Sequence, residues 1–570
     1  MVHISMIRNR KLRIGIISSG TVLSVYHADF LRWCLSHPGI ELSHLIVMRE
    51  RTVDTHRSND CDEHSARSAS RAKTFLSPSL NMVRALGSIE EAALRAWTPH
   101  RQYVSDLDVS DLVPSTLYVA TSLSLSDHTR CFKADDVTKI NELDLDLLIM
   151  PLGGNLTGEI LKAARLGIIA VQYSDNRSVS DTHPGFWDVY FQNATTGFSF
   201  ALLAQDAISG IPLRQGRCST KVFWKYNEAS LFQRSMYHLK RLVEEIVEKD
   251  SLPAPLPQLP STGRSTQPPT FVQALRYGGN VARRALGKVR TKLLRRVGWD
   301  FRWRVAYVPT NWADAVLCRG IEIKNPPLHF LADPFVVSRE GKHYCFVEDY
   351  RYKAGKADIA VYELAAEGAI RLGTAITERF HLSFPYLFTY NGELYMCPET
   401  AGNKDVRIYR CVAFPLQWRL EKIILSDIYA ADTMLFEQDG RWWMLTNVDP
   451  FGTGDHGSEL WAFYADSPLS TEWTPHEQNP VLIDASCARN AGLVRQDGKL
   501  YRVSQSQGFD FYGQRSRINQ IIELTSTAYV EECAITIRPD FKPKAKGTHH
   551  LHSNGSMTAF DYIAYDNFRH

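Results

Sequence analysis

The chain has 570 residues, 44% of them hydrophobic and 22% charged, with a formal net charge of +3 at pH 7. That length is too great for a single core and predicts two or three domains, while the near balance of charge gives no global case for a nucleic-acid partner. The ten cysteines form no CxxC pair and follow no regular spacing, which argues against a zinc site or a disulfide framework and for a reducing compartment.

No apolar run of signal length precedes the first predicted strand, and no stretch reaches about 18 apolar residues, so the expected location is cytoplasmic. Residues 11–50 read as strand, helix, strand and open an α/β domain. The loop Ser18, Ser19, Gly20 lacks the GxGxxG spacing of a dinucleotide site. Residues 51–73 form a polar insertion rich in Ser, Arg and His. DLDLLIMP (144–151) is a buried strand, Gly153 and Gly154 turn the chain, and residues 157–165 predict a helix entered from a threonine cap. GIIAVQYSDNR supplies the next strand and its loop.

The run LDLLIMPLGGNLTGEILKAARLGIIAVQ, followed by PGFWDVYFQNATTGFSFALLAQDAISGIPLRQG, resembles the folate-dependent formyltransferases. The resemblance covers residues 11–225 and implies that fold for residues 1–225, with 10-formyltetrahydrofolate as cofactor. At the positions of the family's Asn, His and Asp this chain holds Ala170, Gln172 and Ile208, none of which can move a proton as its counterpart does. Asp175, Asn176 and Arg177 remain nearby as a polar set, for substrate binding or for bracing a loop.

Residues 228–250 read as a charged amphipathic helix, and residues 251–269, with six prolines, as an extended linker. Residues 271–297 carry eight Lys or Arg and no acid, while Leu275, Ala282, Leu286, Val289, Leu293 and Val297 share one helix face. Such a helix suits an anionic membrane surface, peripheral to the inner face, a grip on an anionic partner, or packing on the domain that follows. Together residues 226–300 make a connecting region.

Residues 301–570 are organised by a repeat. PFVVSREGKHYCFVE, PYLFTYNGELYMCPE, TMLFEQDGRWWMLTN and AGLVRQDGKLYRVSQ align without gaps on Gly341, Gly392, Gly440 and Gly498. Turn pairs such as Asn-Gly and Asp-Gly predict two-residue hairpins, and the spacing allows a four-stranded sheet per unit. Four such hairpins, plus a fifth sheet joining residues 549–567 to the early strand WRVAYVP, predict a five-bladed β-propeller. Eight residues before each glycine stand Asp333, Phe384, Asp432 and Asn490, and seven after it Glu348, Glu399, Asn447 and Gln505. Paired across each hairpin, they would bring carboxylates to one axial rim, although strand ends favour Asp and Asn for turn chemistry alone. His549, His550 and His552 invite a metal, but neighbours on a strand point to opposite faces, so no metal site is expected.

The ADPF start and the acids at blade starts look like the five-bladed arabinanases, β-xylosidases and fructan-cleaving enzymes. This implies Asp333 as base or nucleophile and Asp432 as a tuning residue; the fourth blade offers Arg489-Asn490 in place of the family's glutamate, so the rim glutamates are Glu348 and Glu399, of which Glu399 is taken as the acid. YMCPET and DTMLF also resemble the N-terminal domain of plant glucosamine inositolphosphorylceramide transferases. The expectation is a multidomain, carbohydrate-active transferase or glycosidase-like enzyme of surface-glycan (polysaccharide) biosynthesis. It would act on a sugar, glycolipid or nucleotide sugar through Asp333, Glu399 and Asp432, with Glu348, Arg489, Gln505 and His550 binding it. A formyl or acyl transferase acting on an amino sugar, and a non-catalytic glycan-binding scaffold, stay open as alternatives.

Overall fold

A computed structural model describes residues 10–50, 78–96, 106–123, 129–173, 183–205, 207–257 and 268–569. Contacts divide the chain into two units, Met1–Gly216 with Thr220–Arg283, and Arg217–Ser219 with Arg284–His570.

The first unit is built on a nine-stranded mixed sheet in the order Ala207–Ser219, Thr195–Ala204, Ile168–Gln172, Leu147–Met150, Leu12–Ser18, Ile40–Glu50, Ser115–Leu123, Thr129–Phe132, Asn155–Thr157. Its five middle strands, from Ile168–Gln172 to Ser115–Leu123, run parallel. Leu147–Met150 and Ile168–Gln172 are buried at every position, the pattern of strands covered on both faces. The helices Val25–Ser36 and Trp224–Lys249 pack together. Where the sequence predicts one helix over 157–165, the structure has the short strand Asn155–Thr157 and a 3-10 turn, Glu159–Lys162, entered from Gly158 at φ 88°. The glycine takes a backbone angle that a threonine-capped α-helix would not need.

The second unit is the five-bladed propeller that the repeat predicts. Blades one to four run through His329–Ile376, Ser383–Ser426, Ala430–Ile483 and Asn490–Ile537. The fifth joins both ends of the unit, with Trp299–Val308 pairing antiparallel to Thr558–Asn567 over ten residues. The inner strands His329–Arg339, Ser383–Tyr390, Ala430–Gln438, Asn490–Gln496 and Leu551–Ser553 touch one another in a closed ring.

Each of the four hairpins turns with both central residues at positive φ: Glu340 53° and Gly341 77°, Asn391 50° and Gly392 79°, Asp439 53° and Gly440 73°, Asp497 50° and Gly498 73°. That geometry matches the strands' right-handed twist. Equivalent side chains pair across each hairpin, Val337 with Tyr344, Phe388 with Tyr395, Phe436 with Trp443 and Val494 with Tyr501. The inner ends depart from simple pairing. Glu348, Glu399 and Asn447 oppose Ala332, Ser383 and Ala431, and the next residues, Asp333, Phe384 and Asp432, lie in bulges at φ 49°, 47° and 48°. The expected pairs Asp333–Glu348 and Asp432–Asn447 are therefore offset by one residue. A left-handed residue without glycine's freedom costs about 1–2 kcal/mol, and recurrence of the bulge in three blades marks it as a built feature that re-aims a side chain.

Candidate functional site

The bulges turn Asp333 and Asp432 into the centre of the ring, where backbone hydrogen bonds tie Asp333 to neighbouring blades. The Phe384 N–H donates to Asp333 Oδ2 at 3.2 Å, and the Asp333 N–H donates to Asp561 Oδ2 at 3.3 Å. Asp561, fully buried on the strand that closes the ring, also takes the His549 and His550 N–H groups on its Oδ1 at 3.0 and 2.9 Å. Two successive N–H groups aimed at one oxygen take residues 549–550 out of strand alternation. Both imidazoles consequently face the same way, with His549 Nε2 and His550 Nδ1 each 3.7 Å from Asp333 Oδ1. The expectation that adjacent histidines diverge fails for this reason.

Four sequence-predicted acids and Arg489 meet here. Arg489 Nε donates to Asp432 Oδ2 at 2.6 Å, its Nη2 lies 3.7 Å from Glu399 Oε2, and its guanidinium sits 5.0 Å from the centre of the Tyr512 ring. Gln505 donates from Nε2 to Asn490 O at 2.9 Å and to Asp432 Oδ2 at 3.4 Å. Glu348 faces His381 Nε2 at 3.4 Å; because His381 Nδ1 accepts from Ala357 N–H at 3.1 Å, its Nε2 carries the proton toward the carboxylate. His550 is buried against Phe335 and Phe384, with neither ring nitrogen hydrogen-bonded. His552 accepts from Val336 N–H at 3.2 Å and serves the backbone.

Crowding sets the protonation states. Burial, with Asp432 and Asp561 adding, pushes Asp333 up from 3.8 to about 7, against the pull of His549. Burial and neighbouring carboxylates also hold Glu348 and Glu399 well above the usual range, Arg489 partly relieving Glu399. Burial alone would lower His549, but Asp561, 2.6 Å from its Nδ1, and Asp333 more than offset it and raise it. His550, buried and beside His549, is driven well below its ordinary value. Burial and crowding thus make the Asp333, Glu348 and Glu399 carboxyls harder to ionise than ordinary acids, the kind of shift that fits a carboxyl for handling protons near neutral pH. Asp333, His549 and Asp561 place three ligand atoms within 4.8 Å of one another and could hold a cation.

The sequence reading missed Asp561, Trp303 and Tyr512 as site residues, and considered His549 only as a metal ligand that it set aside. Trp303 stacks on His549 with centroids 3.8 Å apart and planes at 10°, and Tyr512 meets the same imidazole edge-on at 5.2 Å. The fifth-blade pairing was the one signal for Trp303.

In the first unit Asp175, Asn176 and Arg177 lie outside the described residues. Ala170 is fully buried, and Gln172 Oε1 accepts from Ser199 Oγ at 3.3 Å. An unpredicted network lies close by. Tyr173 donates to Pro151 O at 2.6 Å, so it accepts from His27 Nε2 at 2.8 Å, leaving His27 Nδ1 to accept from Ser24 Oγ at 2.7 Å. Burial lowers His27 to about 4 and keeps it neutral.

Residues 304–559 match the family model described as glucosamine inositolphosphorylceramide transferase 1, N-terminal. The chain is 37% identical over 223 residues to glucosamine inositolphosphorylceramide transferase 1 of Arabidopsis thaliana, covering 38% of this chain and 28% of that protein. It is 36% identical over 210 residues to the protein of the same name from Oryza sativa subsp. japonica, covering 36% and 28%. The chain thus spans little more than a quarter of the length of these relatives. Among solved structures, the arabinanase Arb43A of Bacillus subtilis aligns over 42% of this chain and 95% of its own at 12% identity and a TM-score of 0.30. At that score the likeness carries no weight, and the five blades rest on their own sheet order and ring closure. The family match falls within the propeller and lends the formyltransferase resemblance no support.

Proposed function

We propose that the propeller binds a sugar, or the sugar end of a glycolipid, at its axial cluster and makes or breaks a glycosidic bond there. The observation that carries this reading is the convergence of Asp333, Glu399 and Asp432 on Arg489 and His549, with the Asp333 and Glu399 carboxyls both raised above the usual range. Identity to glucosamine inositolphosphorylceramide transferases over the matched residues supports a glycolipid rather than a free polysaccharide. In this scheme the Glu399 carboxyl protonates the departing glycosidic oxygen, and the Asp333 carboxylate takes the proton of the incoming hydroxyl. The hydroxyl belongs to water in hydrolysis and to the acceptor in transfer. Asp432 is held by Arg489 and orients Glu399, and the half-exposed Tyr512 ring offers a face for sugar stacking.

The backbone bonds through Asp333 and Asp561 favour a second reading, a non-catalytic glycan-binding ring in which the acids chiefly hold blades together. Formyl or acyl transfer to an amino sugar by the first unit gains no proton-moving group from Ala170 or Gln172. Asp333→Asn and Glu399→Gln separate the first two readings when binding and product formation are both measured on glycans, glycolipids and nucleotide sugars. Catalysis predicts loss of turnover by about two orders of magnitude or more with binding retained; pure binding predicts altered affinity and no turnover in the parent. Unchanged behaviour of both variants in both assays refutes a role for the cluster in either.

A further inference from the structure

The helix Phe271–Arg296 has one face that the structure leaves open and another that it uses. From Arg284 on it belongs to the propeller unit, and there Leu286, Val289, Leu293 and, just past the helix end, Val297 are between 55% and 70% exposed. They fall within about 80° of one another around the helix axis. The opposite side carries Arg284, Lys288 and Arg295, and these turn back on the propeller: Arg284 lies over the Phe509 ring at 4.4 Å, Lys288 Nζ is 3.4 Å from Asp510 Oδ1, and Arg295 Nε donates to Asp300 Oδ2 at 2.7 Å. Three basic groups thus fix which way the helix faces. In this half of the helix Arg290 on one border and Lys292 and Arg296 on the other flank the apolar stripe, and the helix contains no acid.

We infer that this face is a docking surface for an anionic lipid bilayer. A stripe of Leu and Val flanked on both sides by Arg and Lys is the arrangement that seats apolar side chains at the acyl boundary while long basic side chains reach up to anionic headgroups. A protein partner that covered the stripe would have to supply acids along both borders at once; a lipid surface supplies them everywhere. The helix is too charged to span, and among the described residues no helix is long and apolar enough to cross a membrane. Docking holds the propeller where a glycolipid headgroup is presented. The inference is nevertheless independent of axial chemistry, because none of its residues belongs to that cluster.

The test is co-sedimentation of the full chain with large vesicles of phosphatidylcholine alone, or containing about a third phosphatidylserine. Binding is expected to the anionic vesicles and to fall with added salt. Leu286→Ser, Val289→Ser and Leu293→Ser combined should weaken it by at least about 100-fold, given the apolar area lost and tenfold per 1.4 kcal/mol. Arg290→Glu with Lys292→Glu should abolish it. Circular dichroism and sugar binding checked in parallel should stay at parental values, since these side chains are exposed. No binding to anionic vesicles, or binding that survives the triple serine change, overturns the inference; the latter would mean adsorption by charge alone.

Discussion

Asp333→Asn tests whether the axial cluster is as crowded with charge as its geometry indicates. The Asp333 carboxyl stands at about 7 instead of 3.8, so the folded chain favours its protonated form. Between pH about 4 and about 7 the unfolded chain releases this proton while the fold retains it. Stability contributed through this group is therefore fully present below pH 4, falls as pH rises through 7, and is level above. A rise of roughly three pKa units at about 1.4 kcal/mol each sets an upper figure near 4 kcal/mol. His549 works in the other direction, because its imidazolium loses a carboxylate neighbour, but Asp561 stays 2.6 Å from Nδ1 and keeps it paired. Asparagine retains the oxygen that accepts the Phe384 N–H. Relative to the parent, the variant should gain about 2–4 kcal/mol between pH 4 and pH 8, on the order of 10 °C in the propeller's melting transition. Calorimetry of both proteins across that range reads this directly. Parallel curves of Tm against pH would refute the argument, and a variant losing ground as pH rises would show that Asp333 is ionised and paired.

Two further substitutions probe what holds the cluster. Arg502 is fully buried, clasps Glu531 through Nε at 2.7 Å and Nη2 at 2.6 Å, and donates to the Cys487 and Ala488 carbonyls beside Arg489. Glu531→Gln leaves that cation without its counter-charge and should cost about 3–5 kcal/mol in urea denaturation; a loss under about 1 kcal/mol would mean the carbonyls suffice. At Gly492, φ is 129° and an added Cβ would lie 2.3 Å from the Leu551 carbonyl oxygen. Gly492→Ala should therefore lower the propeller's Tm by several degrees at the contact between fourth and fifth blades, and an unchanged Tm would show that the strand end can shift.

The sequence announces what is local and hides what depends on closure. Each turn pair carries its own backbone requirement, so the four hairpins could be read from spacing alone. The acids at the blade starts were legible as residues, yet their register was not. Counting eight before and seven after the turn sets Asp333 against Glu348, whereas the bulge sets Ala332 there. A bulge changes the register by one residue and leaves no mark in composition. In the first unit, the helix expected over 157–165 rested on a cap residue and a short apolar pattern, and the positive φ of Gly158 decided otherwise.

How the site is finished was invisible in the sequence for a more general reason. His549 and Trp303 stand at opposite ends of the propeller's sequence and stack only because the first and last strands share a blade. Asp561 lies on that closing strand, and its acceptance of N–H groups from Asp333, His549 and His550 links the first blade to the fifth. The Phe384 amide carries the link on to the second blade, and Arg489 joins the third to the fourth through Asp432. The same carboxylates that could handle protons therefore also hold blades in register. A ligand that competes for them must act on an arrangement already fixed by ring closure, which is the preorganisation that electrostatic catalysis and selective sugar binding both depend on. It follows that loosening closure, as Gly492→Ala should, ought to disturb the axial chemistry even though Gly492 contributes no side chain to it.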